Sequence, residues 1–234
     1  MGRKNDKRAE QAFFSNVHLV QYFSMRLLIF GATGLVGQRL VRESLYMGHT
    51  VTAYARDVFT TEFPPHEELH LVEGTVFDDK ALKKAMVEQD AVLSALGGRT
   101  DGTDYTRSLG IKHITDQMKS AGIQRIIAVG GSGILDDENG KPLFQDEHYP
   151  PEYWPVANEH YKALQYLMKS GLDWTMVCPP YIVDQDPTGA YTHSASIAPE
   201  VEQPQISNGD LALFMLQELT RNQYIHQRVG IATT

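Results

Sequence analysis

The 234 residues carry a formal net charge of −8, with 42% apolar and 21% charged side chains, an ordinary balance for a globular chain with one sizeable core. An acidic total argues against a nucleic-acid partner, which calls for a concentrated basic face, and no apolar run reaches the length of a membrane span. The single cysteine, Cys178, excludes an internal disulfide and fits a reducing compartment, so a cytoplasmic location is expected.

Residues 1–24 stand apart. MGRKNDKRAEQ is basic and polar, and the following AFFSNVHLVQYFS is interrupted by Ser15, Asn16, His18 and Gln21, where a signal peptide would keep a clean apolar core. The segment reads as an extension outside the core fold, with an amphipathic interaction helix as the alternative. Residues 25–234 are then expected to form one domain.

From Met25 onward, short apolar runs alternate with segments of helical period. Strands are predicted at 27–30, 50–55, 69–72, 91–95, 125–129 and 174–178, and helices at 35–47, 80–88, 105–121 and 158–170. In the first helix Val36 and Leu40, then Val41 and Leu45, repeat at i and i+4. A last helix at 210–220 and a strand near 229–232 close the pattern. Continuous apolar strands in a βαβα alternation predict a doubly wound, mainly parallel α/β sheet with helices on both faces. Two long connections, about 130–156 and 179–205, follow strand ends, where open α/β sheets bind their ligands. In the first, Tyr149, Tyr153 and Trp154 would form a lid over an aromatic ligand or anchor the loop.

The most informative segment is Arg26-Leu-Leu-Ile-Phe-Gly31-Ala-Thr-Gly34-Leu-Val-Gly37, a strand, a glycine-rich turn and a helix. Gly31 permits the tight turn, Gly34 lets backbone N–H groups approach a pyrophosphate, and Gly37 lets the helix pack close to the strand. The helix N-terminus offers unpaired donors and a partial positive charge. The second strand ends Tyr54-Ala55-Arg56-Asp57, with no acid at its tip. The Arg56 guanidinium suits a 2′-phosphate, so NADP(H) is expected in preference to NAD(H). Asp57 would pair with Arg56 or help hold the ribose. The nine histidines show no metal-ligand spacing, and no metal is expected.

GATGLVG, YARD, DAVLSALGGR, RIIAVGGSGIL and SGLDWTMVCPPYIVD together resemble the atypical short-chain dehydrogenase/reductase family. Within it they are most similar to the biliverdin reductase B and flavin reductase group and its NmrA-like relatives. The likeness continues through Thr188-Gly-Ala-Tyr191-Thr192 and Asp210-Leu-Ala-Leu-Phe-Met-Leu. It implies a Rossmann fold with NADP(H) lying along the first five strands. Thr33, Leu35 and Val36 would face the pyrophosphate, and Thr75 and Val76 the adenine, although the family commonly has Asp where Thr75 stands. Leu96, Gly97 and Arg99 would line the cofactor, Val129, Gly130, Gly131 and Ser132 would flank the nicotinamide, and Pro179 and Pro180 would close that end.

Two departures bear on chemistry. Many short-chain dehydrogenases transfer a proton through Tyr-x-x-x-Lys; here Asn158 takes the tyrosine's place and only Lys162 survives, positioning ribose or merely covering the helix surface. The resembling group also has a serine after strand five, whose place is taken here by Gly131 with Ser132 beside it, and a histidine after the Pro-Pro pair, where this chain has Tyr181. Ser132, Tyr181 and Lys162 are the candidate catalytic residues. The expected activity is hydride transfer from NADPH to a planar conjugated acceptor such as a flavin, quinone or biliverdin-like molecule. The alternative is a non-catalytic NADP(H) sensor. A small-molecule acceptor, no nucleic acid, no membrane, and a monomer or small homo-oligomer complete the expectations.

Overall fold

A computed structural model describes residues 24–234; most of the N-terminal extension, residues 1–23, lies outside the described residues. Strands β1 (Arg26–Phe30), β2 (Thr50–Ala55), β3 (Leu69–Glu73), β4 (Ala91–Ser94), β5 (Arg125–Val129) and β6 (Asp173–Cys178) join β10 (Gln227–Thr233) and β8 (Tyr191–Ala195) in one sheet. Its order is β3-β2-β1-β4-β5-β6-β10-β8, parallel throughout except where β8 runs against β10. This is the 3-2-1-4-5-6 order of the Rossmann fold, in which the strand order reverses between β1 and β4 and leaves a crevice there.

Helices α1 (Leu35–Tyr46) and α5 (Asn208–Arg221) cover one face; α2 (Asp79–Ala85), α3 (Thr106–Ala121) and α4 (Trp154–Ser170) belong to the other. The apolar repeat of α1 does what its spacing requires: Val36, Leu40, Val41 and Leu45 are all buried, in the same core as Leu27 and Ile29 of β1 and Leu211 and Met215 of α5. On the opposite face Leu28 and Phe30 join Ile111, Ile114 and Met118 of α3 and Leu164 and Leu167 of α4. Alternate residues of β1 thus feed two cores, which explains its unbroken apolar run.

Several element boundaries differ from expectation, each for a local reason. α2 begins one residue early because Asp78 caps it, accepting from the Lys80 and Ala81 amides, and it ends at Ala85 because Glu88 takes a left-handed conformation at φ 59°. α4 starts at Trp154, four residues before the predicted start, with Pro155 in its first turn, where a missing N–H does no harm. The connection at 179–205 is not structureless. It holds β7 (Tyr181–Val183), which pairs in parallel with β9 (Gln205–Ser207), and the edge strand β8. The connection at 130–156 contains two short 3₁₀ turns, Ser132–Ile134 and Leu143–Gln145.

Asp210 organises the segment after β7. Its buried carboxylate accepts from the amides of Thr188 (2.8 Å) and Gly189 (2.7 Å) and from the hydroxyls of Thr188 and Ser207 (both 2.9 Å). Ser207 in turn caps α5 through the Asp210 amide. Two motifs separated by some twenty residues in sequence therefore meet as one hydrogen-bonded unit.

Candidate functional site

A cavity of about 590 Å³ opens along the carboxyl ends of β1 to β5. Its size is that of a cofactor or small-molecule site. The glycine turn forms one wall. Gly31 sits at φ +72°, and a Cβ there would press into the Ala95 carbonyl, so the turn tolerates only glycine. Gly37 lies inside the first turn of α1, where a Cβ would strike the Gly31 carbonyl and come 2.8 Å from Ala32 Cα. The absence of that Cβ is what lets α1 begin directly behind β1. Gly34 caps α1 without a side-chain partner, and the first turn of α1 has no acidic residue. Its open N–H groups and dipole suit an anion.

Thr33, Gly34, Leu35 and Val36 line the cavity from the turn; Arg56, Asp57, Thr75 and Val76 from the ends of β2 and β3; Leu96 and Gly97 beyond β4; and Val129 and Gly130 beyond β5. Gly37, Gly131, Ser132, Pro179 and Pro180 stand behind or beside this surface rather than in it. Arg56 is exposed and has no hydrogen-bond or ion-pair partner among the described residues. Asp57 does not pair with it but accepts from the Thr33 hydroxyl at 3.3 Å, tying β2's end to the glycine turn. Thr75 lines the wall, and its carbonyl accepts from the buried Tyr54 hydroxyl at 3.0 Å.

Arg99 is directed elsewhere: it is exposed, pairs with Asp101, and is absent from the wall. The arginine of this corner that does line the cavity is Arg107, the second residue of α3. It donates to the carbonyls of Arg99 (3.0 Å) and Gly98 (3.1 Å), folding the loop after β4 inward. Asp104 shares this corner. Partial burial works to raise its pKa, yet hydrogen bonds from Thr106 and Arg99 and the nearby Arg107 charge hold it below the ordinary carboxylate range.

The three catalytic candidates lie outside the cavity wall. Lys162 donates to the buried Glu159 carboxylate at 2.9 Å and stands over the Tyr105 ring, 5.6 Å from its centroid. Glu159 also accepts from Ser108 at 2.5 Å, so this lysine closes a helix-to-helix tie between α3 and α4. Tyr181 opens β7 and is 73% exposed, while the alternation of the strand puts its neighbour Ile182 in the wall. Ser132 begins the 3₁₀ turn after β5, its amide donating to the Pro179 carbonyl at 3.0 Å. Of the three aromatics at the entry to α4, Tyr149 packs over Gly133 and Trp154, the helix's first residue, leans on Phe144 at 6.2 Å, as anchors, while Tyr153 is exposed.

His160 is the polar residue that sequence reasoning missed. It lies on α4 in register with Ala157, Ala163, Leu164 and Leu167, is buried, and borders the cavity beside Gly130. Its Nδ1 is sealed from solvent with no hydrogen-bond partner. Burial, with the Arg107 charge adding to it, pushes its pKa down to about 3. A histidine neutral when folded but free to protonate when unfolded makes the unfolded state the greater proton binder between about pH 6.5 and about pH 3. Stability is therefore full above 6.5 and falls as pH drops through that window, by up to about 1.4 kcal/mol per unit. Urea midpoints at pH 7, 6 and 5 are expected to decline more steeply for the native chain than for His160→Gln; equal slopes would refute it.

A parallel sheet in Rossmann order with a glycine-rich turn, an uncapped helix terminus and a cavity at the strand ends defines a dinucleotide-binding protein. The comparisons with known proteins agree. The chain belongs to the NAD(P)H-binding family, which it matches over residues 31–222. A Burkholderia pseudomallei structure, provisionally called an exported protein, is similar at a TM-score of 0.77 and 30% identity, across 89% of this chain and 99% of that one. A Streptococcus pneumoniae structure, provisionally named an NADH-flavin reductase, has a TM-score of 0.77 at 28% identity, across 90% of this chain and 100% of that one. The Bacillus subtilis protein YwnB, itself uncharacterised, is 26% identical over 216 residues, 89% of this chain and 99% of that protein. Among the described residues no helix is long and apolar enough to cross a membrane.

Proposed function

We propose that this protein is an NADPH-dependent reductase of planar conjugated acceptors such as flavins, quinones or biliverdin-like molecules, akin to the biliverdin reductase B and flavin reductase group. The observation that carries this reading is a dinucleotide-sized cavity that lacks a tyrosine–lysine proton pair: Asn158 occupies the tyrosine's place and Lys162 is held by Glu159. When bound, NADPH supplies a hydride. The chain's own part is then to hold cofactor and acceptor in contact and keep water from between them, which such electron-poor acceptors require and little else. The turn amides and the start of α1 would hold the pyrophosphate, and unpaired Arg56 the 2′-phosphate. Tyr181, exposed on β7 next to Ile182 of the wall, would stack on an acceptor arriving from solvent.

The name of the Streptococcus relative supports a flavin acceptor but mentions NADH, so both cofactors belong in the test. Loss of NADPH absorbance is followed with FMN, riboflavin, quinones and biliverdin, and NADH is run in parallel. Arg56→Ala is expected to weaken NADPH binding about 10- to 100-fold, the worth of a charged hydrogen-bonded contact, and to leave NADH nearly unchanged. Equal effects on the two cofactors would remove the 2′-phosphate role. Tight NADPH binding with no turnover on any acceptor would favour a cofactor sensor instead. The buried, lone Cys178 supports a reducing compartment and hence the cytoplasm. We take the working unit to be a monomer or small homo-oligomer with no nucleic-acid or membrane partner.

A further inference from the structure

His160 is a buried polar group without a job in the fold. Its ring makes no hydrogen bond among the described residues, and Nδ1 is shut in with no partner. Space has nevertheless been kept for it: a Cβ on Gly131 would come 3.2 Å from His160 Cδ2 and 3.6 Å from Nε2. Buried polar groups that remain unpaired are uncommon and mark strain, an unseen water or a ligand.

The arrangement fixes which nitrogen carries the hydrogen. A neutral imidazole has one N–H and one lone pair. With the hydrogen on Nδ1, a donor would be sealed in with nothing to accept from it. With the hydrogen on Nε2, only an idle lone pair is enclosed, which is the lesser penalty because orphaned buried donors are rarer than under-used acceptors. His160 and Gly130 both line the cavity, and with Nδ1 enclosed Nε2 is the nitrogen left to reach a molecule there. The nearby Arg107 charge and the enclosure both oppose a second proton.

We infer that His160 is a ligand-recognition residue that presents Nε2–H, as an uncharged donor, to a carbonyl oxygen of a molecule seated over Gly130. This deepens the proposed function and rests on its reading of the cavity. A carbonyl is the fitting acceptor: an anionic group would be drawn to the Arg107 guanidinium in the same wall, whereas a neutral N–H matches a neutral oxygen. Two molecules could bring that oxygen, the nicotinamide carboxamide or a conjugated acceptor such as FMN. His160 then supplies orientation, and it delivers no proton.

The test is NMR of the full chain labelled uniformly with ¹⁵N, which reports both the histidine rings and the turn amides, the His160 signals being identified by their loss in His160→Gln, with His160→Asn as a second assignment variant. The ring is expected to show the Nε2–H tautomer and not to titrate between pH 5 and 8. Adenosine 2′,5′-bisphosphate, which lacks nicotinamide, is expected to move the Gly31–Gly37 amides and leave His160 unmoved. A shift of His160 with NADP⁺ assigns the carboxamide as its partner; a shift only when FMN joins the NADP⁺ complex assigns the acceptor. His160→Leu is expected to weaken the molecule so identified about 5- to 10-fold, with His160→Gln restoring most of it. An Nδ1–H tautomer, titration in that range, or a silent His160 while the turn amides respond to NADP⁺ overturns the inference. Turn amides that ignore NADP⁺ would instead bring down the cofactor reading, and the inference with it.

Discussion

Gly37→Ala is expected to weaken NADPH binding on the order of 100-fold and to lower stability by about 3 kcal/mol. The added methyl meets main chain, the Gly31 carbonyl and Ala32 Cα at 2.8 Å, and neither can swing aside as a side chain would. Either α1 moves off β1 or the turn opens, and both take the first-turn N–H groups away from the position of the phosphates. Fluorescence titration with NADPH and thermal unfolding would measure the two effects. Gly97→Ala is the control for stability, since a Cβ there meets nothing within 4 Å. Comparable destabilisation by both substitutions would mean that close packing of α1 on the turn is unimportant.

Asp210→Ala is expected to cost about 3 kcal/mol and to leave the segment around Thr188 and Gly189 open to protease. The carboxylate is almost fully enclosed and accepts four hydrogen bonds, two of them from that segment's main chain. Asp210→Asn keeps the shape and the oxygen that accepts from the Thr188 and Gly189 amides, and its NH2 would meet the Thr188 and Ser207 hydroxyls, which can turn to accept, so it should recover much of the loss. Urea unfolding and limited proteolysis with mapped cleavage sites check both. Proteolysis unchanged at that segment would show that Asp210 only caps α5. Asn208 ties the same region to the cavity, donating to the Leu35 carbonyl at 3.3 Å and to Asp184 at 2.8 Å, so loosening here would reach the start of α1.

The cofactor half of the molecule is legible in its sequence because local and global signals coincide there. The glycines of the turn, the apolar run of β1 and the i, i+4 pairs of α1 each demand the same strand–turn–helix unit. The substrate half is harder to read. Tyr191-Thr-His-Ser-Ala makes an edge strand with one partner and partial burial, so it carries no apolar run, and β7 and β9 have only three residues each. The start of α4 was announced by Pro155, a residue favoured in a first turn, but the aromatic cluster around it reads as loop. Arg107 lines the cavity where Arg99 was expected, because direction on a loop is set by tertiary bonds: Asp101 takes Arg99, and the carbonyls of residues 98 and 99 take Arg107. His160 had a sequence signal all the same, since it interrupts an apolar stripe at helical spacing, where a polar side chain needs a partner or a purpose.

Cys178 closes β6 with its thiol wholly enclosed, and a Cβ on Gly130 would come 3.0 Å from its sulfur. Enclosure pushes its pKa up to about 12, leaving on the order of one thiolate in 100,000 molecules at neutral pH. It is the chain's only cysteine. A thiol reagent can therefore react only in those moments when the packing around the end of β6 parts, and its rate counts those openings. Any molecule that binds the closed cavity alone would slow that clock in proportion to its occupancy, whether or not it is ever turned over.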